Sequence, residues 1–294
     1  MPGRVGAPEV TIPVVDRTAA AQPVVRFAVL GDVGTGDATL QATAGLVAEI
    51  GASDPFDGLI LLGDNVYPNG APDRLGATVF DPFDPVLRGG ARLLPVLGNH
   101  DVRDGNGPGQ VARLGMPGRW YATDVGGVLF VGLDSTRPED PGQLRWLEET
   151  LAASDADWTV VAMHHPAFSA GFHGSDDDVR EAFSSTFERY GVDLVLAGHD
   201  HDYQRSVPIG GVTYVVSGAA AKTRPTDTAS FTAASASTRH FVELGMWSDR
   251  LEVKAISQEG VFDTVVIPNA PNDDVFSAAA SRSVGFATWT VLDG

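Results

Sequence analysis

An α/β fold is predicted for this 294-residue chain, and three observations predict it. Strand-like apolar runs alternate with helix-like stretches through the first two-thirds, which indicates a largely parallel sheet covered on both faces. Five of those runs stop abruptly at a polar cluster. Beyond about residue 210 the texture changes to successive strand-like runs with little helical pattern between them.

Residues 1–23, rich in Pro, Ala and Val, have no clear period and read as an N-terminal arm. The first strand pattern covers residues 24–30 and stops at Gly31-Asp32; a helix-like stretch follows at 40–50. Apolar runs at 59–62 and 93–97 stop at Gly63-Asp64 and at Gly98-Asn99-His100-Asp101. A further run at 128–133 ends at Asp134. Residues 141–153 read as a helix that begins at a proline, with Leu144, Leu147 and Leu151 on one face. Residues 160–163 run into His164-His165. A helix near 176–190 opens on three aspartates, which suit the positive end of its dipole, and 193–197 runs into Gly198-His199-Asp200-His201. Strands are expected at 211–217, 239–247, 250–257 and 261–267, interrupted by a Thr/Ala/Ser-rich loop at 223–238. Residues 24–268 are expected to form the catalytic domain, and 269–294 a C-terminal tail with a weak strand pattern near 284–292, an added edge strand.

Composition narrows the chemistry. Hydrophobic residues make up 43%, enough for a sizeable core and against disorder. The net charge of −18 disfavours nucleic acid and anionic membrane as partners. A small phosphorylated substrate remains compatible, because a metal centre reverses the field locally. The chain has no cysteine, which excludes disulfides, thiolate metal sites and cysteine nucleophiles. Any metal must therefore be held by oxygen and nitrogen donors, which suit ferric iron, manganese, magnesium or zinc. No apolar run is long enough to span a membrane, and the first residues lack the apolar core of a signal peptide. Either the protein stays inside the cell or a leader has been removed.

Ligands of open α/β sheets bind outside the carboxyl ends of the strands, so the five clusters are expected to converge. The histidines point the same way: of seven, all but His240 lie in a cluster or within ten residues after one. Asp, Asn and His supply hard to intermediate donors, and a carboxylate can bridge two ions about 3.5–4 Å apart, which clamp an in-line displacement at phosphorus.

The order Gly31-Asp32-Val33-Gly34, Gly63-Asp64-Asn65-Val66-Tyr67, Gly98-Asn99-His100-Asp101, Val161-Ala162-Met163-His164 and Gly198-His199-Asp200-His201 resembles the five-block pattern of the small, single-domain purple acid phosphatases, within the calcineurin-like phosphoesterases. Most other calcineurin-like enzymes carry a histidine two residues after the first aspartate. This chain has Gly34 there and Tyr67 three residues after Asp64. The resemblance implies a central β-sandwich flanked by helices. It implies a ferric ion held by Asp32, Asp64, Tyr67 and His201, and a divalent ion (iron, zinc or manganese) held by Asp64, Asn99, His164 and His199, with Asp64 bridging. These ions outweigh the anions Asp32, Asp64 and Tyr67, so the centre stays cationic.

The implied reaction is hydrolysis of a phosphate monoester by metal-bound hydroxide, with His100 or His173 protonating the leaving oxygen. Pro166-Ala167-Phe168-Ser169 followed by Phe172-His173-Gly174 resembles the loop that carries a second active-site histidine in mammalian-type members. His165 reads as a wall of the site. Asp101 and Asp200 are expected either to orient His100 and the 199–201 turn or to cap their loops. Arg103, Arg119, Arg137 and Arg205 are candidate substrate contacts, each weighed against the plainer reading of a surface charge. A phosphodiesterase or nucleotide hydrolase on the same metals is the nearest alternative; a non-catalytic module is less consistent with a complete set of ligand positions. The resemblance favours a secreted or periplasmic protein.

Overall fold

The computed structural model describes residues 22–269. The arm at 1–21 and the tail at 270–294, with the strand pattern expected near 284–292, lie outside the described residues. In chain order the strands are β1 (Val25–Leu30), β2 (Gly58–Leu61), β3 (Arg92–Pro95), β4 (Tyr121–Val125), β5 (Val128–Gly132), β6 (Trp158–Ala162), β7 (Leu194–Ala197), β8 (Tyr203–Ser206), β9 (Thr213–Ser217), β10 (Thr232–Ala236), β11 (Phe241–Met246), β12 (Arg250–Ser257) and β13 (Gly260–Pro268). The α-helices are α1 (Ala38–Gly51), α2 (Asp84–Arg88), α3 (Gly107–Leu114), α4 (Pro141–Ala152) and α5 (Asp177–Arg189).

The longer helices begin where their side chains tell them to. Asp37, Asp140 and Asp176 each accept backbone N–H bonds from the first turn of α1, α4 and α5, satisfying donors that have no intrahelical partner. Pro141 follows its cap in the position where a missing N–H costs nothing. Asp177 and Asp178 add negative charge at the amino end of α5.

Two sheets result, ordered β13-β12-β11-β1-β2-β3 and β10-β8-β9-β7-β6-β5-β4. Alternation along the second sheet separates its two faces. Phe130, Trp158, Val160, Ala162, Leu194 and Leu196 join the core shared with the first sheet. Val131, Val161, Met163 and Val195 turn the other way, onto Leu147 and Leu151 of α4 and Val179, Phe183 and Phe187 of α5. Each such large apolar side chain, fully buried, stabilises the fold by about 1.5–3 kcal/mol. Leu40, Ala44 and Val47 of α1 cover the first sheet. This is the sandwich flanked by helices that the resemblance implied.

Some expectations need correction. The second half supplies most of the seven-stranded sheet, but its last three strands cross over: β11 pairs antiparallel with β1, so β11–β13 extend the first sheet. Central β1 then lies between parallel β2 and antiparallel β11, and all six of its residues are buried. The segment expected as a loop at 223–238 contains β10, an edge strand on β8. Its Thr-Ala-Ala-Ser-Ala sequence carries little strand signal, and the pairing rather than the propensity sets it.

Candidate metal centre

Parallel β1, β2 and β3 lie side by side, so Asp32, Asp64 and the Asn99-His100 pair leave their carboxyl ends at one rim. Parallel β6 and β7 bring His164 and the 199–201 turn to the same rim from the other sheet. The backbone turns sharply there. Asp32 (φ 61°), Asp64 (φ 52°) and His199 (φ 70°) adopt the left-handed conformation that non-glycine residues rarely take. Such strain clusters where surroundings over-determine a functional geometry.

The side chains gather in two groups. In the first, Tyr67 Oη donates to Asp32 Oδ1 (2.8 Å) and lies 3.2 Å from His201 Nε2, which is 3.3 Å from Asp32 Oδ1. In the second, His164 Nε2 lies 3.1 Å from Asn99 Oδ1 and 3.2 Å from His199 Nδ1. Asp64 reaches both. Its Oδ1 is 3.5 Å from His164 Nε2, and donor atoms of Asp32, Asp64 and His164 lie within 4.8 Å of one another. His164 Nδ1 is 2.7 Å from the Leu62 carbonyl. A carbonyl only accepts, so Nδ1 carries the proton and Nε2 presents its lone pair to the group.

The electrostatics ask for a cation. Asp32 is 0% and Asp64 2% exposed, and among the described residues neither pairs with a Lys or Arg. Burial pushes the Asp32 carboxyl up to about 6 against its His201 hydrogen bond, and Asp64 adds to the rise. Burial pushes His199 down to about 2, helped by neighbouring imidazoles, and drives His164 well below its ordinary value. Burial and the Asp32 and Asp64 charges raise the Tyr67 phenol far above its usual range, so only a strongly charged cation would hold it as phenolate. Buried carboxylates crowded against neutral imidazoles fit hard metal ions.

The remaining expected residues fall around this group. His100 donates Nδ1–H to the Pro68 carbonyl (2.5 Å), leaving Nε2 3.9 Å from Asp64 Oδ2. The His173 ring lies against His199, centroids 4.3 Å apart. Asp200 holds it there, accepting the His173 N–H (2.7 Å) and the Ser169 hydroxyl (2.5 Å). Asp101 is the loop-capping case: fully buried, it accepts N–H bonds from Gly98, Asn65 and Val66 and ties the β2 and β3 loops together. The His165 ring packs against His164 and His199. His240 is a core histidine, bonded to Ser217 and the Thr238 carbonyl.

Three of the four candidate arginines are held by carboxylates. Arg119, Arg137 and Arg205 are paired with Asp134, Asp140 and Asp263. Only Arg103 approaches, its guanidinium 3.4 Å from the Pro68 carbonyl. Two cations that sequence reasoning missed stand here instead. Lys222 Nζ lies 4.4 Å from the Tyr67 ring centroid, and Arg224 covers Phe172, which is 64% exposed, at 4.3 Å. Arg224 also donates its backbone N–H to the His201 carbonyl (2.8 Å). The available signal was a sixth strand end, β9 running into Gly218 and the Ala-Ala-Ala-Lys that follows.

The calcineurin-like phosphoesterase family profile matches residues 25–203. Tartrate-resistant acid phosphatase type 5 of Mus musculus is 30% identical over 250 residues, 71% of this chain and 76% of that protein. An uncharacterized protein of Mycobacterium tuberculosis is 34% identical over 187 residues, 52% of this chain. The matched segment spans only 35% of that mycobacterial protein. Among solved structures, purple acid phosphatase PPD1 from yellow lupin seeds superposes with a TM-score of 0.72 at 19% identity, over 83% of this chain and 53% of that one. GAP50, the anchor in the inner membrane complex of Plasmodium, gives 0.73 at 18% identity, over 83% and 88%. At that identity the two structures speak to the fold alone.

Proposed function

Because this chain belongs to the calcineurin-like phosphoesterase family, and resembles its purple acid phosphatases, we propose that it is a dinuclear-metal hydrolase of phosphate monoesters, an acid phosphatase. The observation that carries the reading is the position of Asp64, whose carboxylate is shared between the Asp32–Tyr67–His201 group and the Asn99–His164–His199 group. Asp32, Asp64, Tyr67 and His201 would hold a ferric ion; Asp64, Asn99, His164 and His199 a divalent one. When bound, such a pair lowers the pKa of a water and polarises a phosphoryl oxygen.

The chain's own groups supply the rest. His100 is fixed through Nδ1–H on Pro68, so the protonated ring carries Nε2–H on the side facing Asp64. That proton is placed to pass to the leaving oxygen as the ester bond breaks. His173, held by Asp200 against His199, is the second candidate donor. Lys222 and Arg224 put positive charge on the rim of an acidic protein and draw an anionic ester inward. The same two cations favour an ester with extra negative charge, which keeps a nucleotide hydrolase as the second reading. Among the described residues no helix is long and apolar enough to cross a membrane, and a secreted or periplasmic location belongs to the same proposal.

Metal analysis combined with turnover tests the reading. Two ions per chain are expected, with faster turnover of an aryl phosphate than of its bis-aryl diester. Doubly loaded protein that cleaves neither ester would overturn it, and a preference for the diester would replace it with the phosphodiesterase alternative.

A further inference from the structure

Two adjacent histidines, His164 and His165, meet the rim in opposite chemical states, and Ser135 is the cause. Ser135 follows β5. Its Oγ accepts the backbone N–H of His164 (3.1 Å) and that of His165 (2.9 Å). A hydroxyl oxygen has two lone pairs and one proton. Both lone pairs are thereby used, so the proton goes to the remaining neighbour, His165 Nδ1, at 2.9 Å. Nδ1 of His165 is therefore an acceptor, and the neutral ring carries its hydrogen on Nε2. His164 is the reverse, with its proton on Nδ1 bonded to the Leu62 carbonyl.

This difference separates the two residues by function. Coordination needs a lone pair on the ligating nitrogen, and the only lone pair of His165 is engaged by Ser135. Coordination through Nε2 would move the proton to Nδ1, facing an oxygen whose lone pairs are already filled. His165 is thus unsuited to bind metal, although a ring nitrogen of His165 lies within 4.8 Å of ring nitrogens of His164 and His199, close enough for the three to hold an ion on distance alone. Its ring centroid lies 4.9 Å from that of His164 and 4.7 Å from that of His199. Its Nε2–H has no hydrogen-bond partner among the described residues, on a half-buried ring packed against two proposed metal ligands.

We propose that His165, locked by Ser135 as the Nε2–H tautomer, is a hydrogen-bond donor to the phosphoryl group of the substrate, and that Ser135 is its positioning residue. This rests on the phosphoester-hydrolase reading above. A donor there suits a tetrahedral oxyanion, which offers several acceptor oxygens at once, and a neutral donor avoids adding charge beside the metal ligands. A hydrogen bond to a charged acceptor contributes about 1.5–3 kcal/mol, corresponding to about 10- to 150-fold in binding.

The test uses zinc-loaded protein with 15N-labelled histidine. Long-range 1H–15N correlation is expected to show a single Nε2–H tautomer for His165, assigned by its absence in His165→Phe. Ser135→Ala is expected to mix the tautomers, while Ser135→Thr, which keeps the hydroxyl, restores the single form. In His165→Phe the metal content is expected to stay complete while inorganic phosphate binds at least about tenfold more weakly; His165→Gln serves if the Phe variant does not fold. An Nδ1–H tautomer in wild type, loss of a metal ion in the variant, or unchanged phosphate affinity would each overturn the proposal. If wild type binds two ions yet cleaves no phosphate ester, the hydrolase reading fails instead, and the tautomer result stands apart from it.

Discussion

Gly34 accepts the backbone N–H of Tyr67 at 2.9 Å and donates its own N–H to the Asp64 carbonyl at 3.0 Å. A Cβ on residue 34 would lie 2.6 Å from Tyr67 N, closer than real Cβ contacts come. The missing side chain at position 34 and the phenol at position 67 are therefore one device. The 64–67 loop sits down on bare backbone, and that contact carries Tyr67 Oη to Asp32.

Gly34→His is accordingly expected to displace Tyr67 rather than add a ligand. The Tyr67–Asp32 bond is lost, and overpacking costs about 1–3 kcal/mol. Thermal denaturation and metal analysis check this. An undiminished melting temperature with full metal content would show that the loop gives way freely.

Tyr67→Phe removes one hydroxyl and leaves the backbone contact with Gly34. The fold is expected to persist, since the lost hydrogen bond contributes about 1 kcal/mol. Iron-loaded wild type is expected to show a visible phenolate-to-iron band, violet or purple. In the variant the band disappears and the iron becomes easier to reduce, because an anionic donor that favours the trivalent state has gone. A band that survives in Tyr67→Phe excludes phenolate ligation.

Asp64→Ala is expected to lose both metals and Asn99→Ala mainly the divalent one, because Asp64 reaches both donor groups whereas the Asn99 side chain bonds to His164 in the second. Mass spectrometry of the purified proteins reads the occupancies directly. Two ions retained in Asp64→Ala would dismiss the bridge.

His100→Ala is expected to keep its metals and slow esters with poor leaving groups by about 10²–10⁴-fold, the usual scale of general acid catalysis. Esters with good leaving groups need less proton donation and are expected to slow less. Equal slowing of both would make His100 a positioning residue and move the acid to His173.

His240 controls a different pH dependence. Burial pushes its imidazole down to about 4, whereas in the unfolded chain it titrates near about 6.5. Below that value the unfolded chain takes up a proton that the native core refuses. This contribution to stability is therefore complete above about pH 6.5 and is lost as pH falls toward about 4, by at most about 3 kcal/mol. His240→Gln is expected to melt lower at pH 7 but with a shallower fall between pH 6.5 and 4. Parallel curves for the two proteins would show that His240 ionises freely in the fold.

Six of the seven proposed ligands stood out in the sequence because each lies within four residues of the end of a strand, where apolar run, turn and donor are contiguous; Tyr67, farther along, came from the family resemblance. The supporting residues did not stand out. Nothing near Ser135 reveals that its hydroxyl meets His165 thirty residues later, and nothing near Lys222 reveals Tyr67. Arg205 shows a charge in the sequence but not Asp263, its partner across the sheet edge. Long-range pairing hid the rest. The strand patterns at 239–267 were visible, yet their placement beside β1 depends on contacts more than 200 residues apart.

Asp32, Asp64, Tyr67 and Asn99 belong to loops of one sheet, and His164, His199 and His201 to loops of the other. Metal ions bound between them would act as rivets through the top of the sandwich. Removing the ions would leave these carboxylates and imidazoles joined across the top by a few hydrogen bonds, such as His164 to Asn99 and to the Leu62 carbonyl. Chelation would then loosen the whole body of the protein as well as stop turnover, and resistance to heat and protease would rise and fall with metal supply.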